Sequence, residues 1–128
     1  MKASRKFSRK REAILQKVQS TTLHPSAERV YSELKPEIPD LSLGTVYRNL
    51  STLKKDGAIT SVGAICGEER FDGNVGEHSH FVCEVCAAVL DVDAAVDPAL
   101  TEEVAVKLGA EVTRVNQLFF GKCKNCRE

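Results

Sequence analysis

Two Cys-x-x-Cys pairs, Cys83/Cys86 and Cys123/Cys126, stand in the second half of the chain, and a His-x-His, His78 and His80, lies just ahead of the first pair. A tetrahedral zinc ion needs four donors. A two-residue spacer lets each pair close on one ion as a small knuckle, and two knuckles complete the shell. Two other uses of such cysteines stay open. A disulfide framework belongs to an oxidising compartment, yet Met1-Lys2-Ala3-Ser4-Arg5-Lys6 is charged and no apolar h-region follows it. The expected compartment is therefore reducing and cytoplasmic. A thioredoxin-like redox pair opens a helix, whereas Cys86 runs into Ala-Ala-Val-Leu-Asp-Val, which reads as a strand.

A chain of 128 residues allows one or two small domains. No apolar stretch approaches the roughly 20 residues that cross a bilayer, so no membrane partner is expected. Formal charge is zero overall but unevenly placed. Residues 1–60 carry 12 Lys/Arg against 6 Asp/Glu, a balance of +6, and residues 61–128 carry 6 against 12, a balance of −6. The first half suits a polyanion and the second does not.

The first half reads as three helices and a hairpin. Ser8 caps a helix with Ile14, Leu15 and Val18 at helical spacing. A second helix starts with Pro25 in its first turn, buries Ala27, Val30, Tyr31 and Leu34, and ends before Pro36 and Pro39. A third begins at or just after Ser42, stripes Leu43, Val46, Leu50 and Leu53 to one side, and stops at Gly57. Two short strands, around 59–62 and 70–72, follow with a joining loop that contains Gly63 and Gly67. Three helices and a two-stranded wing make a winged helix-turn-helix. Its third helix would read DNA, leaving Thr45, Arg48, Ser51 and Thr52 on the outer face, Tyr47 on the border and Lys54 near its end. These groups reach phosphates, base edges and thymine methyls. A basic arm (Lys2, Arg5, Lys6, Arg9, Lys10, Arg11) adds phosphate contacts. Any amphipathic helix also has a polar outer face, so one helix alone does not decide for DNA.

Residues 73–77, Gly-Asn-Val-Gly-Glu, form the expected linker between a DNA-binding domain over 1–72 and a second domain over 78–128. The second reads as strands at about 80–83 and 89–92, a helix from Asp97-Pro98 to Gly109, and a strand from about Glu111 to Gly121. The fold class is α+β. A unit of roughly 50 residues holds little core, and a zinc knuckle is worth about 10–16 kcal/mol in small metal-folded peptides. The first metal is therefore structural, since a shell filled by thiolates leaves no open position.

In combination, His24-Pro-Ser-Ala-Glu-Arg-Val-Tyr31, Gly44-Thr-Val-Tyr-Arg-Asn-Leu50, Arg70-Phe-Asp72, His78-Ser-His-Phe-Val-Cys-Glu-Val-Cys86 and Cys123-Lys-Asn-Cys126 resemble the ferric uptake regulator family of bacterial metal-dependent repressors. The resemblance spans nearly the whole chain in order. It implies a homodimer with an N-terminal winged helix on DNA, a C-terminal dimerisation domain with the zinc knuckle, and a regulatory metal site between the two. That last site rests on the resemblance alone.

The resemblance implies the regulatory ligands His24, Asp72, His78, His80 and Asp91. Mixed His/carboxylate ligation suits Fe²⁺ or Mn²⁺ better than a soft-thiolate metal, and all three histidines of the chain fall in this set. Asp at positions 72 and 91 matches the peroxide-responsive branch, whereas Glu is more frequent at 91 in iron-uptake regulators. That branch implies local Fenton chemistry with H₂O₂, oxidation of His24 and His78, and release of DNA. Mn²⁺ would support DNA binding without the sensitivity. Such a protein is a sensor and not an enzyme.

Gly73 occupies the place where zinc-uptake regulators tend to carry a cysteine ligand, which argues against zinc sensing. Asn116-Gln117 replaces a histidine-containing stretch, so no third metal is expected, and Cys66 in the wing reads as an incidental surface thiol. The same five ligands would serve an iron- or manganese-responsive uptake regulator. A zinc-ribbon nucleic-acid-binding protein or a thiol oxidoreductase are more distant alternatives. A symmetric dimer predicts an inverted-repeat operator.

Overall fold

The computed structural model describes residues 8–75 and 78–127. Lys2, Arg5 and Lys6 of the basic arm and Gly76 and Glu77 of the expected linker lie outside the described residues. The chain divides into two compact units, Met1–Val75 and Gly76–Glu128.

In the first unit, α1 (Arg9–Gln19), α2 (Ala27–Leu34) and α3 (Leu43–Lys55) precede a hairpin of β1 (Thr60–Ile65) and β2 (Glu68–Asp72). Each helix starts at a serine whose hydroxyl accepts the N–H three residues on: Ser8 from Arg11, Ser26 from Arg29 and Ser42 from Thr45. α3 ends at Gly57, where φ is 81°. Gly57 N–H donates to Lys54 O (3.1 Å) and Ala58 N–H to Leu53 O (3.0 Å), the paired bonds of a Schellman stop. The helical stripes meet in one core of Ile14, Val18, Val30, Leu34, Leu41, Val46, Leu50 and Leu53, closed by Ile59 and Phe71. Tyr31 and Leu43 are only half-buried.

The expectations at Pro25 and in the wing are corrected. Pro25 precedes the cap of α2 instead of opening the helix, because its carbonyl is taken by the Phe71 N–H (3.0 Å) and the Ser26 hydroxyl is the better cap. The wing strands are longer than expected, and only Cys66 and Gly67 turn the hairpin, both at positive φ (53° and 84°) as a type I′ turn requires. Gly63 is no loop residue: it lies within β1 beside a bulge, at φ 116°, while Val62 and Ile65 bury one face of the strand.

In the second unit, β3 (Ser79–Cys83), β4 (Val89–Val92) and β5 (Leu118–Gly121) form a sheet in the order β4-β3-β5, with β3 antiparallel to β4 and parallel to β5. α4 (Pro98–Leu108) has Asp97 as its N-cap, Pro98 in the first turn and Gly109 at φ 60° as its stop. Glu102 and Glu103 lie just past the first turn, and Glu103 pairs with Lys107 (2.8 Å). The last strand starts at Leu118, not Glu111. The ladder with β3 runs only from Leu118, opposite His80, to Gly121, opposite Cys83; just ahead of it Gln117 O accepts the His80 N–H (3.1 Å), and 111–117 has no regular strand geometry. α4 buries none of its residues, and Leu100, Val106, Leu108, Leu90, Phe119 and Phe120 are exposed. No helix among the described residues is long and apolar enough to cross a membrane.

Candidate functional site

The parallel pairing of β3 with β5 sets Cys83 opposite Gly121, so both Cys-x-x-Cys pairs leave the sheet at the same end. There the sulfurs of Cys83, Cys86, Cys123 and Cys126 all lie within 4.8 Å of one another, with Cys86 Sγ and Cys123 Sγ 3.9 Å apart. Zinc–sulfur bonds of about 2.3 Å in a tetrahedron separate the sulfurs by about 3.8 Å. Three backbone N–H groups converge on Cys83 Sγ: Val85 (3.4 Å), Cys86 (3.5 Å) and Cys123 (3.4 Å). Led by those of Cys86 and Cys123, they lower the Cys83 thiol to about 6. Sharing a proton with Cys123, followed by burial, pushes Cys126 up to about 12. One sulfur is readied as a thiolate while the crowd of neighbours resists further negative charge. A divalent cation resolves that conflict, and the four thiols fit a structural zinc ion.

Alternation along the extended chain brings His78 and His80 to one face, and the ladder sets Asp91 of β4 directly across from His80. Asp91 Oδ1 lies 3.2 Å from His78 Nε2 and 3.4 Å from His80 Nε2, and the two rings are 4.5 Å apart between centroids. His80 is buried and Asp91 is exposed. Two imidazoles and a carboxylate that converge in this way make a three-donor group within the second unit.

The first unit carries a second group. His24 and Asp72 are both buried, with His24 Nδ1 3.7 Å from Asp72 Oδ2, beyond hydrogen-bond range. Asp72 Oδ1 accepts the Asn74 N–H (2.9 Å), an Asx turn that orients the carboxylate. His24 has φ 52°, a conformation that non-glycine residues rarely adopt. Arg70 binds the main chain at this point: its Nε donates to His24 O and its Nη2 to Leu23 O (2.9 Å). The sequence offered Arg70 only as part of Arg70-Phe-Asp72. Strand alternation, which puts residues 70 and 72 on one face, was the signal that could have singled it out.

On α3, Arg48 and Ser51 are exposed, Thr45 and Thr52 are partly covered, and Tyr47 is 51% exposed, standing out from the border position expected of it. Ser42 Oγ donates to Thr45 Oγ1 (2.9 Å) and Arg48 Nη2 donates to the same oxygen (3.1 Å), which ties the guanidinium along the helix face. Arg11 Nε donates to Asn49 Oδ1 (3.1 Å) and Asn49 Nδ2 to Thr45 O (3.0 Å), so Arg11 is held beside α3. Asn49 had no expected role. Lys54 pairs with Glu69 of the wing (2.9 Å), Arg9 is exposed, and Cys66 is exposed at the wing tip.

Residues 2–119 match the sequence profile of the Ferric uptake regulator family. The chain is 29% identical over 127 residues to the Peroxide-responsive repressor PerR of Staphylococcus epidermidis, covering 99% of this chain and 85% of that protein. Its fold is similar to that of the Helicobacter pylori ferric uptake regulator Fur, a structure described as having three functional metal-binding sites. The TM-score is 0.80 at 25% identity, with 99% of this chain and 85% of that one covered. It is also similar to the Campylobacter jejuni peroxide stress regulator, with a TM-score of 0.75 at 30% identity over 91% of this chain and 87% of that one.

Proposed function

The chain belongs to the ferric uptake regulator family, and from that premise we propose that it is a metal-dependent transcriptional repressor that responds to hydrogen peroxide. The observation that carries the peroxide reading is the donor chemistry: an aspartate accompanies the histidine donors in each unit, Asp72 with His24 and Asp91 with His78 and His80. In this reading the five side chains share one Fe²⁺ or Mn²⁺ ion and so couple the DNA-binding domain (1–72) to the dimerisation domain (78–128) through the linker 73–77. The relatives named as peroxide-responsive lend the same support.

The residues divide the work. His24, His78 and His80 give neutral nitrogen donors, and Asp72 and Asp91 bring the negative charge that favours a hard divalent cation. Fe²⁺ held by these side chains would supply the activation of H₂O₂ beside the ligand imidazoles, one peroxide oxygen being added to an imidazole and the other leaving as water. An oxygen added to His24 or His78 converts a good donor into a poor one. The remaining donors then hold the ion less tightly, and the DNA-binding form is lost. The thiolate centre stays out of this chemistry because its shell is full.

DNA is contacted by α3 through Thr45, Tyr47, Arg48, Ser51, Thr52 and Lys54, with Arg9 and Arg11 on phosphate. The exposed apolar residues of α4 and β5 serve as the homodimer surface, since exposed apolar area of this kind on a small unit marks an interface. A two-fold dimer expects an inverted-repeat operator.

Mass spectrometry tests the proposal: zinc-containing protein is loaded anaerobically with Fe²⁺ or Mn²⁺ and treated with stoichiometric H₂O₂. The expected result is one added oxygen on His24 or His78 in the iron sample alone. Intact histidines together with metal-dependent DNA binding would instead establish an iron- or manganese-responsive uptake regulator, the reading favoured by the likeness to the Helicobacter pylori protein.

A further inference from the structure

Among the described non-glycine residues at positive φ, Cys66 belongs to a hairpin turn and Ala87 closes the knuckle turn with its N–H on Cys83 O (3.0 Å), whereas His24 stands in the loop ahead of α2 and belongs to neither kind of turn. Something must hold its backbone there. The contacts of Arg70 explain how. Leu23 C=O belongs to the peptide plane before the His24 Cα, and His24 C=O belongs to the plane after it. Peptide groups are rigid planes, so fixing both sets φ and ψ of the residue between them. The Arg70 guanidinium donates to both carbonyls, Nη2 to Leu23 and Nε to His24. Its planar fork is suited to hold two acceptors at once, where a lysine ammonium is a single mobile point.

The strand supports this clamp. The Phe71 N–H donates to Pro25 O (3.0 Å) and Ser26 bridges to Arg70, so residues 23–26 are fastened along β2. Asp72 is two residues beyond Arg70 and shares its side of the strand. One residue of β2 thus holds the main chain of His24 while the next on that face presents its carboxylate to the imidazole.

We propose that Arg70 is a positioning residue: its guanidinium imposes the left-handed backbone of His24, aims the imidazole at Asp72, and so sets the affinity for the regulatory metal. The inference rests on the reading of His24 as a metal ligand. Without the clamp the Leu23–His24 segment relaxes to an ordinary φ and carries the imidazole away from Asp72.

The test measures Mn²⁺ affinity by chelator competition on zinc-loaded full-length protein, comparing wild type, Arg70→Gln, Arg70→Lys, His24→Ala and the double variant His24→Ala/Arg70→Gln. Residues that orient a metal ligand typically contribute about 10- to 100-fold in affinity. Arg70→Gln is expected to weaken Mn²⁺ binding by about that factor when His24 is present, and to leave the residual affinity of His24→Ala unchanged. Wild-type affinity in Arg70→Gln, or an equal loss in both backgrounds, would overturn the proposal. Arg70→Lys keeps the charge but not the fork, so it is expected to bind Mn²⁺ more weakly than wild type. Wild-type affinity there would show that charge suffices and defeat the clamp, and this variant carries the test should Arg70→Gln lose its helical circular dichroism. His24→Ala with wild-type affinity would instead remove the metal reading itself.

Discussion

Asp91 Oδ1 faces two imidazoles at once, so a single atom organises the donor group of the second unit. Asp91→Ala removes that oxygen from between His78 and His80. Mn²⁺ affinity is expected to fall at least about ten-fold while zinc content stays the same; chelator competition and metal analysis measure the two quantities separately. Gly73 is governed by space. A Cβ there would stand 2.6 Å from Gln19 Cα and 3.0 Å from Gln19 N, and helix backbone cannot swing aside. Gly73→Ala is expected to cost about 1–3 kcal/mol of stability in the first unit, read from its urea midpoint. A cysteine begins with the same Cβ, so packing against Gln19 would oppose a thiolate at this position too.

The helix ends carry separate energies at the scale of the element. Ser42 caps α3 through its hydroxyl to the Thr45 N–H (3.1 Å), and Ser42→Ala is expected to cost about 1 kcal/mol by chemical denaturation. The same change frees Thr45 Oγ1 from one of its two bonds and loosens Arg48, so DNA affinity is expected to fall with it. Gly57 has open space around it, which makes the cost of Gly57→Ala purely conformational: about 1–2 kcal/mol for a non-glycine residue in the left-handed region. These caps were legible because capping is local, a matter of a hydroxyl and the N–H three residues on. Pro25 was misread for the opposite reason. Its local preference for a first turn yields to a bond with Phe71, which lies far along the chain.

At the scale of the whole molecule, metal and charge are the levers. The first unit owns a core from Ile14 to Phe71, whereas the second has a four-residue β5, an unburied α4 and four cysteines. Zinc chelation is therefore expected to unfold the second unit and dissociate the dimer while the helices of the first persist, a difference that hydrogen exchange resolves. Zinc loading is also expected to depend on pH. Above pH of about 6 Cys83 is already a thiolate, while Cys126, at about 12, must give up a proton to the solvent when zinc binds. Protons therefore compete with zinc, so affinity falls as pH falls and falls more steeply below about 6, where Cys83 must be deprotonated as well. DNA binding follows the +6 balance of residues 1–60. Log affinity is expected to drop linearly with log salt, by about 0.9 for each phosphate neutralised; a flat salt profile would remove the basic residues from the interface.

The sequence by itself determined the two knuckles, the three helices with the serine caps of the first and third, the hairpin and the boundaries of α4, because each depends on spacing within a few residues. It also determined which residue types could hold a thiolate-bound metal and which a harder one. Tertiary structure alone decided how those donors are presented. Parallel pairing of β3 with β5 gathers four sulfurs at one end of a sheet, register sets Asp91 against His80, and a guanidinium 46 residues away fixes the backbone of His24. Composition and periodicity describe a chain one neighbourhood at a time. Ladder register and long-range hydrogen bonds depend on which distant segments meet, and only the folded packing specifies that.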